Sequence, residues 1–106
     1  MEASVVVNML AALAQETRLA IYRLLVECGE EGLPAGKIGE ELGLAAATLS
    51  FHLKELSHAG LIRGTQDGRH IYYAAEFATM NALLGFLSRN CCARKATGKR
   101  RGQACC

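Results

Sequence analysis

Five cysteines in 106 residues are the side chains best able to do chemistry in this chain. Cys28 stands alone, while Cys91-Cys92 and Cys105-Cys106 are adjacent pairs near the C-terminus. An odd count argues against a closed disulfide framework within one chain. Glu2 stands where a secretory signal would carry Lys or Arg, so no signal peptide is assigned and a reducing, cytoplasmic setting is expected. Zinc sites usually space their cysteines by two to four residues, and neither pair has that spacing. Adjacent thiolates suit a larger, softer centre of low coordination number. Arg89, Arg94, Lys95, Lys99, Arg100 and Arg101 lie around both pairs, with no acid among residues 89–106. Nearby cations of this kind lower thiol pKa values and raise the thiolate fraction.

The same segment explains the charge. The net +2 averages two unlike parts. Residues 1–88 hold six Lys/Arg against ten Asp/Glu, giving −4, and residues 89–106 hold six bases, giving +6. With 51% apolar and 21% charged residues the chain is globular, and its length is that of one domain. We divide it into a body, 1–90, and a basic, Cys-rich tail, 91–106, expected to be loosely ordered when no ligand is bound. No apolar run approaches the roughly eighteen residues of a membrane span, so no membrane partner is expected.

The body must supply whatever positions the tail. Val6, Met9, Leu10 and Leu13 recur at helical spacing, as do Ile21, Leu24, Leu25 and Cys28. Cys28 is therefore placed in the core as a small hydrophobe. Gly29 and Gly32 end the second helix and Pro34 prevents its continuation. Ile38 and Leu42 mark a short third helix ending at Gly43, and Leu49, Leu53 and Leu56 a fourth ending at Gly60. Leu61-Ile62-Arg63 and Ile71-Tyr72-Tyr73 are β-prone, with the turn signal Asp67-Gly68 between them. Phe77, Met80, Leu83, Leu84 and Leu87 restore the helical period. Two short helices about the turn Gly43-Leu44-Ala45, followed by a hairpin, predict a mainly α fold with a β-hairpin wing, a winged helix-turn-helix. The apolar stripe on the last helix is too wide for one small body to cover. Pairing of the first and last helices in a homodimer is expected, the alternative being a monomer with the last helix folded back.

In such a fold the fourth helix enters the major groove of double-stranded DNA. With Leu49, Leu53 and Leu56 inward, Ala47, Phe51, Lys54 and His58 fall on the opposite side, flanked by Thr48 and Ser50. Thr48 and Ser50 can bond a base edge or phosphate, and Lys54 suits phosphate. Phe51 either meets a thymine methyl or packs under the wing. His52 borders the buried stripe and is assigned a structural role. Arg69, beside the hairpin turn, either reaches phosphate or a minor groove or is a solvated tip.

Three stretches together resemble one family. Leu13-Ala-Gln-Glu-Thr-Arg-Leu-Ala-Ile21, Leu49-Ser-Phe-His-Leu-Lys-Glu-Leu-Ser-His-Ala-Gly-Leu-Ile62, and Gly68-Arg69 with Tyr72-Tyr73 resemble the arsenical-resistance repressor (ArsR/SmtB-type) family over about residues 5–88. The resemblance implies a cytoplasmic homodimeric repressor released from its operator when a metal or metalloid binds cysteine thiolates. It departs from the family in three places. Where many arsenic and cadmium sensors carry Cys-x-Cys, this chain has Pro34-Ala35-Gly36. No His lies between Glu76 and Asn90, where some zinc, cobalt or nickel sensors place ligands. Ala45-Ala46-Ala47 replace the usual polar opening of the recognition helix. A subset of arsenic-responsive relatives is similar in having Cys-Cys just after the last helix and a further Cys downstream.

On that resemblance the expected inducer is As(III), or Sb(III), held by Cys91, Cys92 and one of Cys105 or Cys106. The alternative inducer is an oxidant, sulfide or persulfide that drives disulfide formation, with Cys28 and Cys91 as one candidate pair. An enzyme, such as a small thiol reductase, would need a reactive Cys beside an anion-binding loop or positioned base, and no phosphate-cradling Gly-rich loop is present. The chain is expected not to be an enzyme.

Overall fold

The computed structural model describes residues 1–94. Helix α1, Ala3–Leu13, buries Val6, Met9 and Ala12 on one side. A break at Ala14-Gln15 follows, and the Gln15 side chain accepts from the Arg18 amide at 2.8 Å, capping α2, Glu16–Cys28. Glu16 in its first turn complements the positive end of the helix dipole. Ile21, Tyr22 and Leu25 are its buried residues. Leu10, expected inside, is 41% exposed, because the buried side of α1 follows Val6, Met9 and Ala12 instead. Cys28 is also a correction. It is half-buried at the end of α2 and outside the core cluster. Burial, then the charges of Glu27 and Glu41, push its thiol pKa up.

After α2 a single 3-10 turn, Gly29–Glu31, leads to β1, Leu33–Pro34. This two-residue strand was not expected. It pairs antiparallel with β3, Leu33 opposite Tyr73 and Pro34 opposite Tyr72, so Pro34 joins a sheet edge as well as ending the preceding run. Proline is tolerated there because an edge strand need not donate on both sides. Pro34 then caps α3, Ala35–Leu42, which ends at Gly43 in the left-handed region at φ +66°. Helix α4, Ala46–His58, follows the predicted turn.

Strands β2, Ile62–Asp67, and β3, His70–Ala75, pair from Ile62 opposite Ala75 to Asp67 opposite His70. The pairing runs one residue further than the Asp67-Gly68 signal suggested, and Gly68-Arg69 forms the two-residue loop. A positive φ of 68° at Gly68 alone matches a type II′ turn, whose twist suits a hairpin. The sheet order is β1-β3-β2. Ile21, Leu25, Ile38, Leu56 and Leu61 are the largest fully buried side chains, so the core lies among α2, α3, α4 and the root of the wing.

Helix α5, Phe77–Ser88, buries only Leu83, while Leu84 and Leu87 are 55% and 56% exposed. Val5, Val7 and Leu10 are similarly open on α1, and neither helix carries a charged residue. The uncovered apolar stripe expected on the last helix is therefore present, and α1 has one too. Among the described residues no helix is long and apolar enough to cross a membrane.

Gly32 has φ +71°, and a Cβ there would overlap the backbone carbonyl of Tyr73. Gly32→Ala is expected to destabilise by about 2–4 kcal/mol, since strain and overlap coincide. Gly36, inside α3 with open space around it, is the control. Gly36→Ala should stabilise by about 0.5–1 kcal/mol through helix propensity. Urea unfolding of the two variants checks both signs.

Candidate nucleic-acid interface and thiol pair

Helix α4 is held by Leu49, His52, Leu53 and Leu56, all buried. That anchoring turns Thr48, Ser50, Phe51, Lys54 and His58 outward, and each is exposed. Phe51 is 56% exposed and not buried under the wing. An exposed aromatic ring in the middle of such a helix is available to an apolar partner such as a thymine methyl. Lys54 and His58 follow on the same side, and no acid lies in the first turn.

The N-cap residue Ala45 has extended backbone angles but no side-chain acceptor, so the first-turn amides receive no side-chain cap. Uncapped amides at the positive end of a helix suit an external anion such as a phosphate. Gly39 lets α3 approach this turn: a Cβ there would stand 3.2 Å from the Leu44 carbonyl oxygen. Arg69 is exposed at the wing tip, and the Gln66 side chain donates to the Gly68 carbonyl at 3.2 Å across the loop. At the wing root Arg63 pairs with Glu76 at 3.0 Å. This pair is too exposed to contribute much stability, but it braces β2 against the start of α5.

Two contributors were not singled out from the sequence. Lys37 lines a cleft between α3 and the wing, together with His70 and Tyr72, and pairs there with Glu40 at 3.7 Å. Its helical spacing carried no signal beyond that of a solvated lysine. Arg18 sends its Nε to the Ala12 carbonyl at 2.7 Å and its NH1 to His52 Nδ1 at 3.2 Å. The partner lies 34 residues away, so nothing local could reveal it. The structural role expected of His52 is correct, with 8% exposure.

The thiol pair follows α5 directly. The Cys91 amide donates to the Ser88 carbonyl at 3.1 Å and the Ala93 amide to Asn90 at 3.0 Å, giving a tight turn. Asn90 and Cys92 take positive φ of 61° and 65°. The Arg89 guanidinium lies 4.9 Å from the Phe86 ring centroid, fixing a cation beside the pair. Both cysteines are exposed, and their sulfurs are 3.6 Å apart. Two sulfurs bound at about 2.3 Å to one centre stand roughly 3.3–3.8 Å apart at bond angles between about 90° and 109°. The spacing therefore fits a shared soft ion. No group of three ligating side chains converges among the described residues. Cys105 and Cys106, the candidates for a third donor, lie outside the described residues.

Comparison with known proteins bears on the helix-turn-helix body. A family model described as a helix-turn-helix domain matches residues 13–65. The uncharacterized HTH-type transcriptional regulator YceK of Bacillus subtilis is 40% identical over 77 residues, covering 72% of this chain and 76% of that protein. An ArsR-like transcriptional regulator from Rhodococcus sp. RHA1 superposes with a TM-score of 0.70 at 30% identity, covering 81% of this chain and 78% of the other. The homodimeric winged helix-turn-helix DNA-binding domain of Mb0332 from Mycobacterium bovis gives a TM-score of 0.65 at 26% identity over 82% of this chain and 81% of that one.

The missing cap gives a direct test of the helix opening. Ala45→Ser places a hydroxyl where the backbone is already extended, and should stabilise the protein by about 1 kcal/mol. Thermal unfolding against the parent protein measures it.

Proposed function

Because the chain belongs to the ArsR family of winged helix-turn-helix transcriptional regulators, which bind DNA, we propose that it is a homodimeric repressor that trivalent arsenic, or antimony, releases from its operator. The family is one of regulators rather than enzymes. The observation that carries the inducer assignment is the pair Cys91 and Cys92, 3.6 Å apart at the end of α5. As(III) would be held by these two sulfurs and by one from Cys105 or Cys106. In a reducing cytoplasm both sulfurs of the pair would be available to it.

The dimer reading is supported by the uncovered apolar faces of α1 and α5 and by the homodimeric Mb0332 domain. Position then connects ligand to DNA. The sulfur pair continues the helix that would form the dimer interface, so drawing a third thiol to it acts on the spacing of the two recognition helices. Lowering operator affinity a hundredfold requires a coupling of about 2.7 kcal/mol, within the usual allosteric range. In the DNA complex Thr48 and Ser50 would bond base edges or phosphate, Phe51 would meet a thymine methyl, and Lys54 and Arg69 would neutralise phosphates.

A second reading keeps the repressor and changes the signal to an oxidant or persulfide. Both cysteines of the pair are exposed, so an oxidant reaches them as readily as a metalloid does. The raised thiol pKa of Cys28 weighs against that residue as the attacking partner, because the thiolate is the nucleophile.

Cys91→Ser with Cys92→Ser should leave binding to DNA from upstream of the gene intact and abolish release by arsenite under reductant. Normal release from the double variant overturns the site. Peroxide or persulfide treatment followed by a non-reducing gel distinguishes the redox reading, which predicts loss of DNA binding only without reductant.

The DNA face is tested separately. Phe51→Ala should lower operator affinity about tenfold with unchanged thermal stability. Lys54→Gln should reduce the slope of log affinity against log salt by about 0.9 per protomer, or about 1.8 for the homodimer.

A further inference from the structure

Helices α1 and α4 share the apolar core, through Val6, Met9 and Ala12 on one and Leu49, Leu53 and Leu56 on the other, and at the end of α1 a polar bridge is added by Arg18. Beside Arg18 the two helices part, leaving a groove lined by Ala11, Ala12, Glu55 and His58. The Arg18 guanidinium spans it. Its Nε donates to the Ala12 carbonyl at 2.7 Å, in the last turn of α1, where carbonyls lack helical partners. Its NH1 reaches His52 Nδ1 at 3.2 Å. A guanidinium only donates, so Nδ1 must accept, which places the ring proton of a neutral His52 on Nε2. The Arg18 backbone is itself fixed, since its amide is the one capped by Gln15 at 2.8 Å.

The chain of contacts continues outward. The buried His52 ring meets the Phe51 ring in an edge-to-face arrangement, with centroids 5.3 Å apart and planes at 65°. Such pairs have a preferred geometry, so a ring held in place orients its neighbour. Phe51 is the exposed aromatic ring on the recognition helix. Three contacts thus lead from the end of α1, through Arg18 and His52, to a side chain presented to DNA.

We propose that Arg18 and His52 are positioning residues for sequence reading. Arg18 holds the His52 ring against the end of α1, and His52 holds Phe51 in the orientation that meets a thymine methyl in the major groove. This rests on the assignment of Phe51 to the DNA face. Neither residue touches DNA, and neither supplies a phosphate contact. Their effect is on the ratio of specific to non-specific affinity. The end of α1 is also the reference point of the relay, so a shift of α1 moves the ring that reads the base.

A double-mutant cycle on the full-length protein under reductant tests this, with Arg18→Gln made in the parent and in Phe51→Ala. Operator and scrambled duplexes are compared across a salt series, with thermal unfolding of every variant. In the parent, Arg18→Gln is expected to cut operator affinity about tenfold, with scrambled-duplex affinity and salt slope unchanged. In Phe51→Ala it is expected to cut operator affinity no further, although the loss of thermal stability is the same in both backgrounds. A purely structural role predicts equal losses in both backgrounds, or equal losses on both duplexes, and either result overturns the proposal. If Phe51→Ala binds operator as the parent does, the DNA-face assignment of Phe51 fails and the relay falls with it. If Phe51→Ala is impaired but Arg18→Gln is not, only the relay fails. Nitrogen-15 chemical shifts of His52 give a readout independent of DNA: an unprotonated Nδ1 in the parent, with that preference reduced in Arg18→Gln. Should Arg18→Gln not fold, Arg18→Lys, which keeps the charge but not the two-armed geometry, takes its place in the same cycle.

Discussion

A helix can present one side to a groove only if its other side is held, and that anchoring of α4 governs the rest of the molecule. Leu49, His52, Leu53 and Leu56 recur at intervals of three, one and three residues, which places them on a single stripe. Leu53 and Leu56 are 3% and 0% exposed, so the helix has no freedom to rotate about its axis without opening the core. Each buried leucine contributes roughly 1.5–3 kcal/mol through burial, enough that the stripe sets orientation more firmly than any surface contact. The outward direction of Phe51 and Lys54 is therefore a consequence of core packing. Position along the helix is set by other means: Gly43 ends α3 sharply, and Gly39 lets the Leu44 carbonyl come close.

The wing depends on the same core at one remove. Leu61 and Ile62 are buried where β2 leaves α4, while the rest of β2 is exposed. A hairpin anchored at one end alone would be marginal. The third strand stiffens it, and β1 can reach β3 only because Gly32 lets the chain pass against the Tyr73 carbonyl. The segment between α2 and α3 thus orders the wing as well as connecting helices. Arg69 at the tip is carried by three strands rather than two.

The parts legible in the sequence are those whose signal is local. The helix periods, the Gly43 stop, a hairpin turn within one residue of the Asp67-Gly68 signal and the outward set on α4 all follow from spacing within a few residues, and the structure has them. The parts that were not legible depend on contacts between distant residues. Strand β1 is two residues long and exists only through partners at Tyr72 and Tyr73. Arg18 looks like an ordinary charge on α2 until His52 stands beside it. Leu10 and Cys28 failed for a related reason. Periodicity assigns an apolar side to a helix, but the edge of the buried stripe depends on which neighbour covers it, and at the end of α2 little covers Cys28. The thiol pair is half legible. Its chemistry follows from residue type, its 3.6 Å spacing needs the turn after Ser88, and the remaining pair at Cys105 and Cys106 lies outside the described residues.

The charge asymmetry constrains how an arsenical could act on such a protein. At physiological ionic strength charges separated by more than about 8 Å are largely screened, so the −4 of residues 1–88 is less important than which charges face the groove. Lys54, His58 and Arg69 are exposed on the elements proposed to meet it, and the six bases of residues 89–106 are the larger reserve. Consider three thiols condensing with As(OH)3: three S–H bonds and three As–O bonds are exchanged for three As–S bonds and three O–H bonds, and three waters leave. A neutral centre forms from neutral reactants, so the six positive charges remain. Ligand binding would not discharge the basic segment. It would fix the separation between Cys91-Cys92 and a sulfur at least thirteen positions further along the chain. The bases between them, Arg94 to Arg101, would be confined to a closed loop at the end of α5. Electrostatic help to DNA binding would then be lost through where those charges can reach. The geometric and electrostatic routes to the proposed release would therefore reduce to one event, closure of that loop.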